Sequence, residues 1–131
     1  MTTQTGRDNI KLIGDKIKGI RIAMMTTVEA DGTLRSRPMA TQDMEFDGTL
    51  WFFTLADAPK VGEIQSDQQV NLSYAKPDDE RYVSISGTVQ LVRDQQKVKD
   101  LWKPILKVWF ANGENDPNLA LLKVDATQAE Y

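Results

Sequence analysis

The sequence predicts an α+β fold, mainly β: an antiparallel sheet or barrel with accessory helices. Three observations carry this. Tight-turn signals, Glu29-Ala30-Asp31-Gly32 and Asp47-Gly48, separate β-prone runs. Tyr82 to Val92 alternates as one long strand, with Val83, Ile85, Gly87, Val89 and Leu91 on one face. No βαβαβ alternation appears, so nothing asks for a parallel sheet. The chain has 131 residues and no Pro/Gly/Ser-rich linker, which implies one domain over residues 1–131.

Each element has its own local reason. Ile10, Leu12, Ile13, Ile17 and Ile20 have the spacing of one helix face, with Asp8 as candidate N-cap and Gly19 as the stop. Ile20 to Val28 follows as a strand. Thr33 to Thr41 returns after the first turn. Pro38 inside it implies an edge position or a bulge, because proline cannot donate to a ladder. Asp47-Gly48 leads as a second hairpin turn into Leu50-Trp51-Phe52-Phe53-Thr54-Leu55. Asp57 and Pro59 open a helix through Ser66, with Val61 and Ile64 inward.

Val70 to Ala75 is a short strand, and Lys76-Pro77-Asp78-Asp79 a loop. Gly87 in the middle of the long strand marks a bulge, a barrel corner or a close backbone approach. Asp94 caps a helix whose apolar positions are Val98, Leu101, Trp102, Ile105 and Trp109, and Pro104 splits or kinks it. Asp116-Pro117 begins a short helix, and Leu119 to Val124 is the last strand.

Composition restricts the chemistry. Hydrophobic residues make up 40% and charged residues 27%, enough for one soluble core. The chain has no cysteine and no histidine. That removes disulfides, thiolate metal sites, the Ser-His-Asp triad, ordinary catalytic zinc and histidine-ligated haem. Redox work in such a chain falls to a bound cofactor. The net charge of −3 argues against nucleic acid. Apolar runs are too short to span a bilayer and Met1 to Arg7 lacks a signal-peptide core, so a cytoplasmic protein is expected. There is no P-loop, GxGxxG or HExxH pattern, and no metal site is expected.

Three segments are candidates for function. Arg35-Ser36-Arg37-Pro38-Met39 puts two cations on one parity of a strand, with a hydroxyl between them. It reads as a charged solvated edge or as a phosphate site. Thr54 to Lys60 joins a strand end, a hydroxyl and a lysine at a helix start. It reads as a capped helix or as an anion site. Trp102, Trp109 and Phe110 read as core, as a ligand platform or as a subunit interface. Asp78-Asp79-Glu80 reads as a solvated loop.

Taken in order, "DGTLRSRPM", "GTLWFFT", "KVGEI", "VNLSY", "YVSISGTVQLVRD", "LWKP", "VWFANGENDPNLALLKV" and "AEY" resemble the pyridoxamine 5′-phosphate oxidase-like, FMN-binding split-barrel superfamily, in its general stress protein 26 branch. The resemblance runs from Ile10 to Tyr131. It implies a six-stranded antiparallel split β-barrel with flanking helices, and a homodimer with FMN at the subunit interface. By the same resemblance Arg37 contacts the FMN phosphate, while Pro38 and Met39 present backbone to the isoalloxazine ring; Ser36, whose hydroxyl lies between the two arginines, is counted with them as a cofactor-binding residue. Phe53 and Thr54 match the aromatic–hydroxyl pair of the next strand, Lys60 the phosphate lysine, and Trp109 a residue reaching the flavin from the partner subunit.

The implied function is that of a general stress flavoprotein, an FMN-dependent oxidoreductase acting on a small molecule. The alternatives are a non-enzymatic flavin-binding or sensor protein, and an F420-binding reductase. The long anionic tail of F420 suits an acidic chain with few clustered cations less well. The oxidases proper carry an Arg-x-His-type element that has no counterpart here, so pyridoxal phosphate synthesis is not expected. Pro59 stands where those oxidases often carry a second cation, and relatives continue past Ala129-Glu130-Tyr131 with an aromatic residue and a short tail.

Overall fold

A computed structural model of the chain describes residues 3–4, 9–42, 46–58, 61–62 and 68–131. The described elements are β1 (Thr3–Gln4), α1 (Ile10–Ile17), β2 (Ile22–Val28), β3 (Leu34–Ala40), β4 (Thr49–Leu55), β5 (Gln69–Lys76), β6 (Arg81–Val92), α2 (Gln95–Leu101) and β7 (Leu119–Glu130). Short 3-10 turns cover Pro77–Asp79 and Pro104–Val108.

Six substantial strands form one antiparallel sheet in the order β3-β2-β5-β6-β7-β4. The two residues of β1 add to the far end of β7, opposite Ala129 and Glu130. The sheet curls into a half-barrel. Its ends, β3 and β4, are joined by no ladder among the described residues. The seam between them is the split of the barrel.

Local chemistry accounts for most elements. Glu29 and Gly32 close the β2–β3 turn, with Gly32 N–H donating to Glu29 O at 2.9 Å. Gly32 holds φ at 86°, a conformation in which a Cβ is strained. Asp31 accepts from the Thr33 hydroxyl at 2.6 Å and from its N–H at 3.0 Å, which lowers the Asp31 pKa. Pro38 lies on an end strand, as a proline in a ladder requires. Asp94 caps α2 by accepting from Gln96 N at 3.0 Å and Lys97 N at 3.1 Å. Pro104 splits the following segment from α2.

Gly87 meets a bulge. Gly87 pairs with Ala126 while Ser86 pairs with Gln128, leaving Thr127 as the extra residue. A Cβ on Gly87 would lie 2.4 Å from the Asp125 carbonyl oxygen. Of the sequence's three options, the close approach and the bulge hold together.

The core has two compartments. Inside the barrel, Ile13 and Ile17 of α1 pack with Met25, Phe52, Leu72, Tyr74, Ile85, Leu122 and Val124. On the other side of β4 and β7, Phe53, Leu119 and Leu121 pack with Val98 and Leu106. Both faces of these two strands are therefore covered. That explains why Leu119-Ala120-Leu121-Leu122 is a continuous buried run rather than an alternating one.

Four local expectations change. Asp47-Gly48 does turn the chain, with Thr49 N donating to Asp47 Oδ1 at 3.0 Å. However, β4 pairs with β7 rather than with β3. The long-range partner buries both faces of β4, which a β3–β4 hairpin would not do. Asp116-Pro117 forms a turn, not a helix: Asp116 Oδ1 takes the Asn118 N–H at 2.9 Å, and Asp116 O accepts from Leu119 N at 3.0 Å. The last strand runs on past Val124 to Glu130, because β6 offers it a partner over that length. Ile105 is 60% exposed, since the break at Pro104 resets the phase and turns Leu106 inward instead. The candidate cap Asp8, and Pro59, Lys60 and Ile64, lie outside the described residues.

Candidate functional site

A small pocket lies across the seam. One wall is the end of β3 with its continuation, Pro38, Met39, Ala40 and Gln42. Phe53 comes from β4, and Leu106, Trp109 and Phe110 come from the segment after Pro104. The pocket is partly open, with a volume of about 60 Å³.

The aromatic side is held from beneath. Phe53 meets Trp102 edge-on at 5.7 Å between ring centroids and Phe110 tilted at 6.1 Å. Phe110 N–H donates to Leu106 O at 2.9 Å, which folds the segment back over Phe53. Trp109 is 54% exposed and stands at the mouth beside the exposed Val108.

β3 divides its side chains between two faces. Arg35, Arg37 and Met39 lie opposite Thr27, Met25 and Ala23, on the barrel face. Ser36 and Pro38 lie opposite Thr26 and Met24, on the outer face. Arg37 Nη1 donates to the buried Thr27 Oγ1 at 3.0 Å. Arg35 is exposed and lies 3.8 Å from Glu29. The Ser36 and Thr26 hydroxyls share a hydrogen bond. On that outer face Ile22, Met24 and Leu34 are exposed apolar side chains, Leu34 at 70%.

The structure thus brings four of the eight expected residues into one pocket: Pro38, Met39, Phe53 and Trp109. Trp109 reaches it within a single chain. Arg37 shares the barrel face of β3 with Met39 but does not line the pocket. Ser36 points to the other face. Thr54 is fully buried, and its hydroxyl donates to Leu55 O at 3.4 Å. Lys60 lies outside the described residues. Asp57 Oδ1 accepts from Asn118 Nδ2 at 2.7 Å, fastening the end of β4 to the approach of β7.

Sequence reasoning missed Gln42 and Leu106. Leu106 carried a readable signal, the phase reset after a proline. Gln42 carried none, because its burial comes from residues far along the chain.

The comparisons with known proteins agree with this architecture. The family model described as pyridoxamine 5′-phosphate oxidase like matches residues 8–131. The chain belongs to that family. Protein bli-3 of Neurospora crassa is 31% identical over 121 residues, which are 85% of this chain and 58% of that protein. The chain therefore spans a little over half the length of this curated relative.

Among solved structures, the general stress FMN/FAD binding protein from Xanthomonas citri is 28% identical. The match covers 95% of this chain and 88% of that one, with a TM-score of 0.77. General Stress Protein 26 from Bacillus anthracis str. Sterne has a TM-score of 0.78 at 24% identity, covering 95% of this chain and 92% of that one. This second match bears on the fold alone. No helix among the described residues is long and apolar enough to cross a membrane.

Proposed function

We propose that this protein binds FMN across the seam of the barrel and acts as a flavin-dependent oxidoreductase on a small molecule. The observation that carries the reading is the pocket that Pro38, Met39, Phe53 and Trp109 line together. These are residues for which the family resemblance implies flavin contact. The Xanthomonas citri relative, described as an FMN/FAD binding protein, supports a flavin.

The residues present fit such a group. Phe53, Phe110 and Trp109 offer aromatic surface, and Met39 a polarizable side chain, for one end of a flat ring system. Arg37, tethered to Thr27, offers a planar cation for a phosphate. Lys60 and Ser36 are proposed as further phosphate contacts, and Thr54, buried with its hydroxyl on Leu55 O, as a support of its strand end. When bound, FMN supplies hydride acceptance and delivery. The chain's part is to hold the phosphate, orient the ring and exclude water from one face.

The pocket is partly open to solvent, so a three-ring system placed there needs a second cover on its open side. The exposed apolar outer face at Ile22, Met24 and Leu34 suits a second copy of the chain. A homodimer that completes both sites is part of this proposal.

The test is a visible absorption spectrum of the purified protein, with release and identification of the chromophore, then titration with FMN and with F420. A yellow protein that releases FMN is expected, with steady reduction by NADH or NADPH. Colourless protein with no FMN signal on titration would overturn the reading. Bound FMN without turnover would leave a binding or sensor protein, and tighter binding of F420 would reassign the cofactor.

A further inference from the structure

Gln42 is the one described lining residue whose side chain carries both a hydrogen-bond donor and an acceptor, and it is only 8% exposed. Its amide nitrogen donates to Ala40 O over a long 3.4 Å. The other end of the amide makes no hydrogen bond with a described residue. That end is not sealed away: among the described residues no buried side-chain nitrogen or oxygen is left without a partner. It therefore keeps some contact with solvent, and Gln42 lines the pocket. A buried amide that keeps an unused hydrogen-bonding end is costly unless a ligand or water completes it.

The rest of the described lining selects the shape and charge of that ligand. Phe53, Trp109 and Phe110 favour a flat ring. No charged side chain is among the described lining residues, so a charge on the ring would be desolvated there without a counter-charge. An amide presents a donor and an acceptor side by side, and its complement is a carbonyl next to an N–H.

We propose that Gln42 is a specificity residue that reads the carbonyl–N–H edge of a flat, uncharged lactam or imide ring held against Phe53, Trp109 and Phe110. The inference rests on the flavin-binding reading above. This chemistry has two sources: the pyrimidine end of the flavin itself, or a one-ring second reactant of the same class. A residue that only packed the pocket would not distinguish rings with the N–H from rings without it.

The experiment compares wild type, Gln42→Leu and Gln42→Glu, each checked for native circular dichroism. FMN and N3-methyl-FMN are titrated first. Uracil and 1,3-dimethyluracil are then titrated against the FMN-loaded protein by fluorescence. If the flavin edge is read, wild type prefers FMN over its N3-methyl analogue by about tenfold, and Gln42→Leu loses the preference. If a second reactant is read, both flavins bind alike, and uracil binds wild type in preference to its dimethyl analogue while Gln42→Leu loses that preference. Flavin binding with neither preference dependent on Gln42 overturns this inference and leaves the flavin proposal standing. If no flavin binds, that proposal falls. The uracil pair on the unloaded protein then decides: binding that depends on Gln42 supports the inference, and its absence overturns it.

Discussion

Arg37 and Thr27 are joined diagonally across the β2–β3 ladder: Arg37 Nη1 donates to Thr27 Oγ1 at 3.0 Å, although Thr27 is paired directly with Arg35. Long side chains reach such diagonal neighbours in an antiparallel pair. The bond gives two neighbouring arginines different roles. Arg35 stays exposed beside Glu29, while Arg37 is half-buried and aimed along the barrel face. If Arg37 serves the FMN phosphate, Arg37→Ala weakens FMN binding by about 1.5–3 kcal/mol, the range for hydrogen bonds to charged groups. Thr27→Val keeps the shape of the side chain and removes the acceptor, so a smaller loss of affinity is expected. Fluorescence titration with FMN checks both. Equal affinity in all three proteins would remove Arg37 from the site.

Gly87 tolerates no side chain. A Cβ there would lie 2.4 Å from Asp125 O and 3.2 Å from Ala126 Cα, and both are backbone atoms of the bulged partner strand. Relief requires β6 and β7 to separate at the bulge. Gly87→Ala is expected to cost about 2–4 kcal/mol, at the upper end of overpacking effects. Urea denaturation measures it, and a change below about 0.5 kcal/mol, the size of an ordinary surface substitution, would show that the bulge yields freely.

Arg81 closes the C-terminal end of α1. Its Nη1 donates toward Lys16 O and Lys18 O at 3.0 Å each and Asp15 O at 3.4 Å, while Nη2 reaches Asp79 at 3.3 Å. These carbonyls carry the negative end of the helix dipole, so a cation is favoured there. Arg81→Met is expected to lose about 1–3 kcal/mol. Hydrogen exchange should locate the loss in α1, with protection in β5 largely kept. Uniform loosening of the whole sheet would contradict a local clamp.

Tyr74 makes stability depend on alkaline pH. Burial in the barrel pushes its phenol up to about 12, against a smaller lowering by the hydrogen bond with Thr41 at 2.9 Å. The folded state therefore holds the proton more tightly than the unfolded chain. The contribution is complete below the unfolded value near 10 and is lost as pH rises from about 10 to 12. The loss amounts to roughly 2–3 kcal/mol. Tyr74→Phe does not titrate. It should be less stable than wild type near pH 7 by about 1 kcal/mol, the worth of one hydrogen bond. That difference should shrink and then reverse above pH 10. Parallel denaturation curves at pH 7 and 11 check it. A constant difference would mean that Tyr74 ionises as easily folded as unfolded.

The sequence by itself determined the strands, the tight turns, the capped helix at Asp94, the break at Pro104 and the edge position implied by Pro38. Each rests on period, φ preference or a missing donor, which act within a few residues. The resemblance also singled out Pro38, Met39, Phe53 and Trp109, which the pocket unites. Only the tertiary structure decided that β4 pairs with β7, that neither Ser36 nor Arg37 lines the pocket, and that Gln42 is buried. The physical reason is distance along the chain. Trp51 faces Lys123, and residues 38–42 meet residues 106–110, only once the sheet has curled. Local propensity gives the strands no preference among distant partners. Burying both faces of β4 and β7 in two separate cores does.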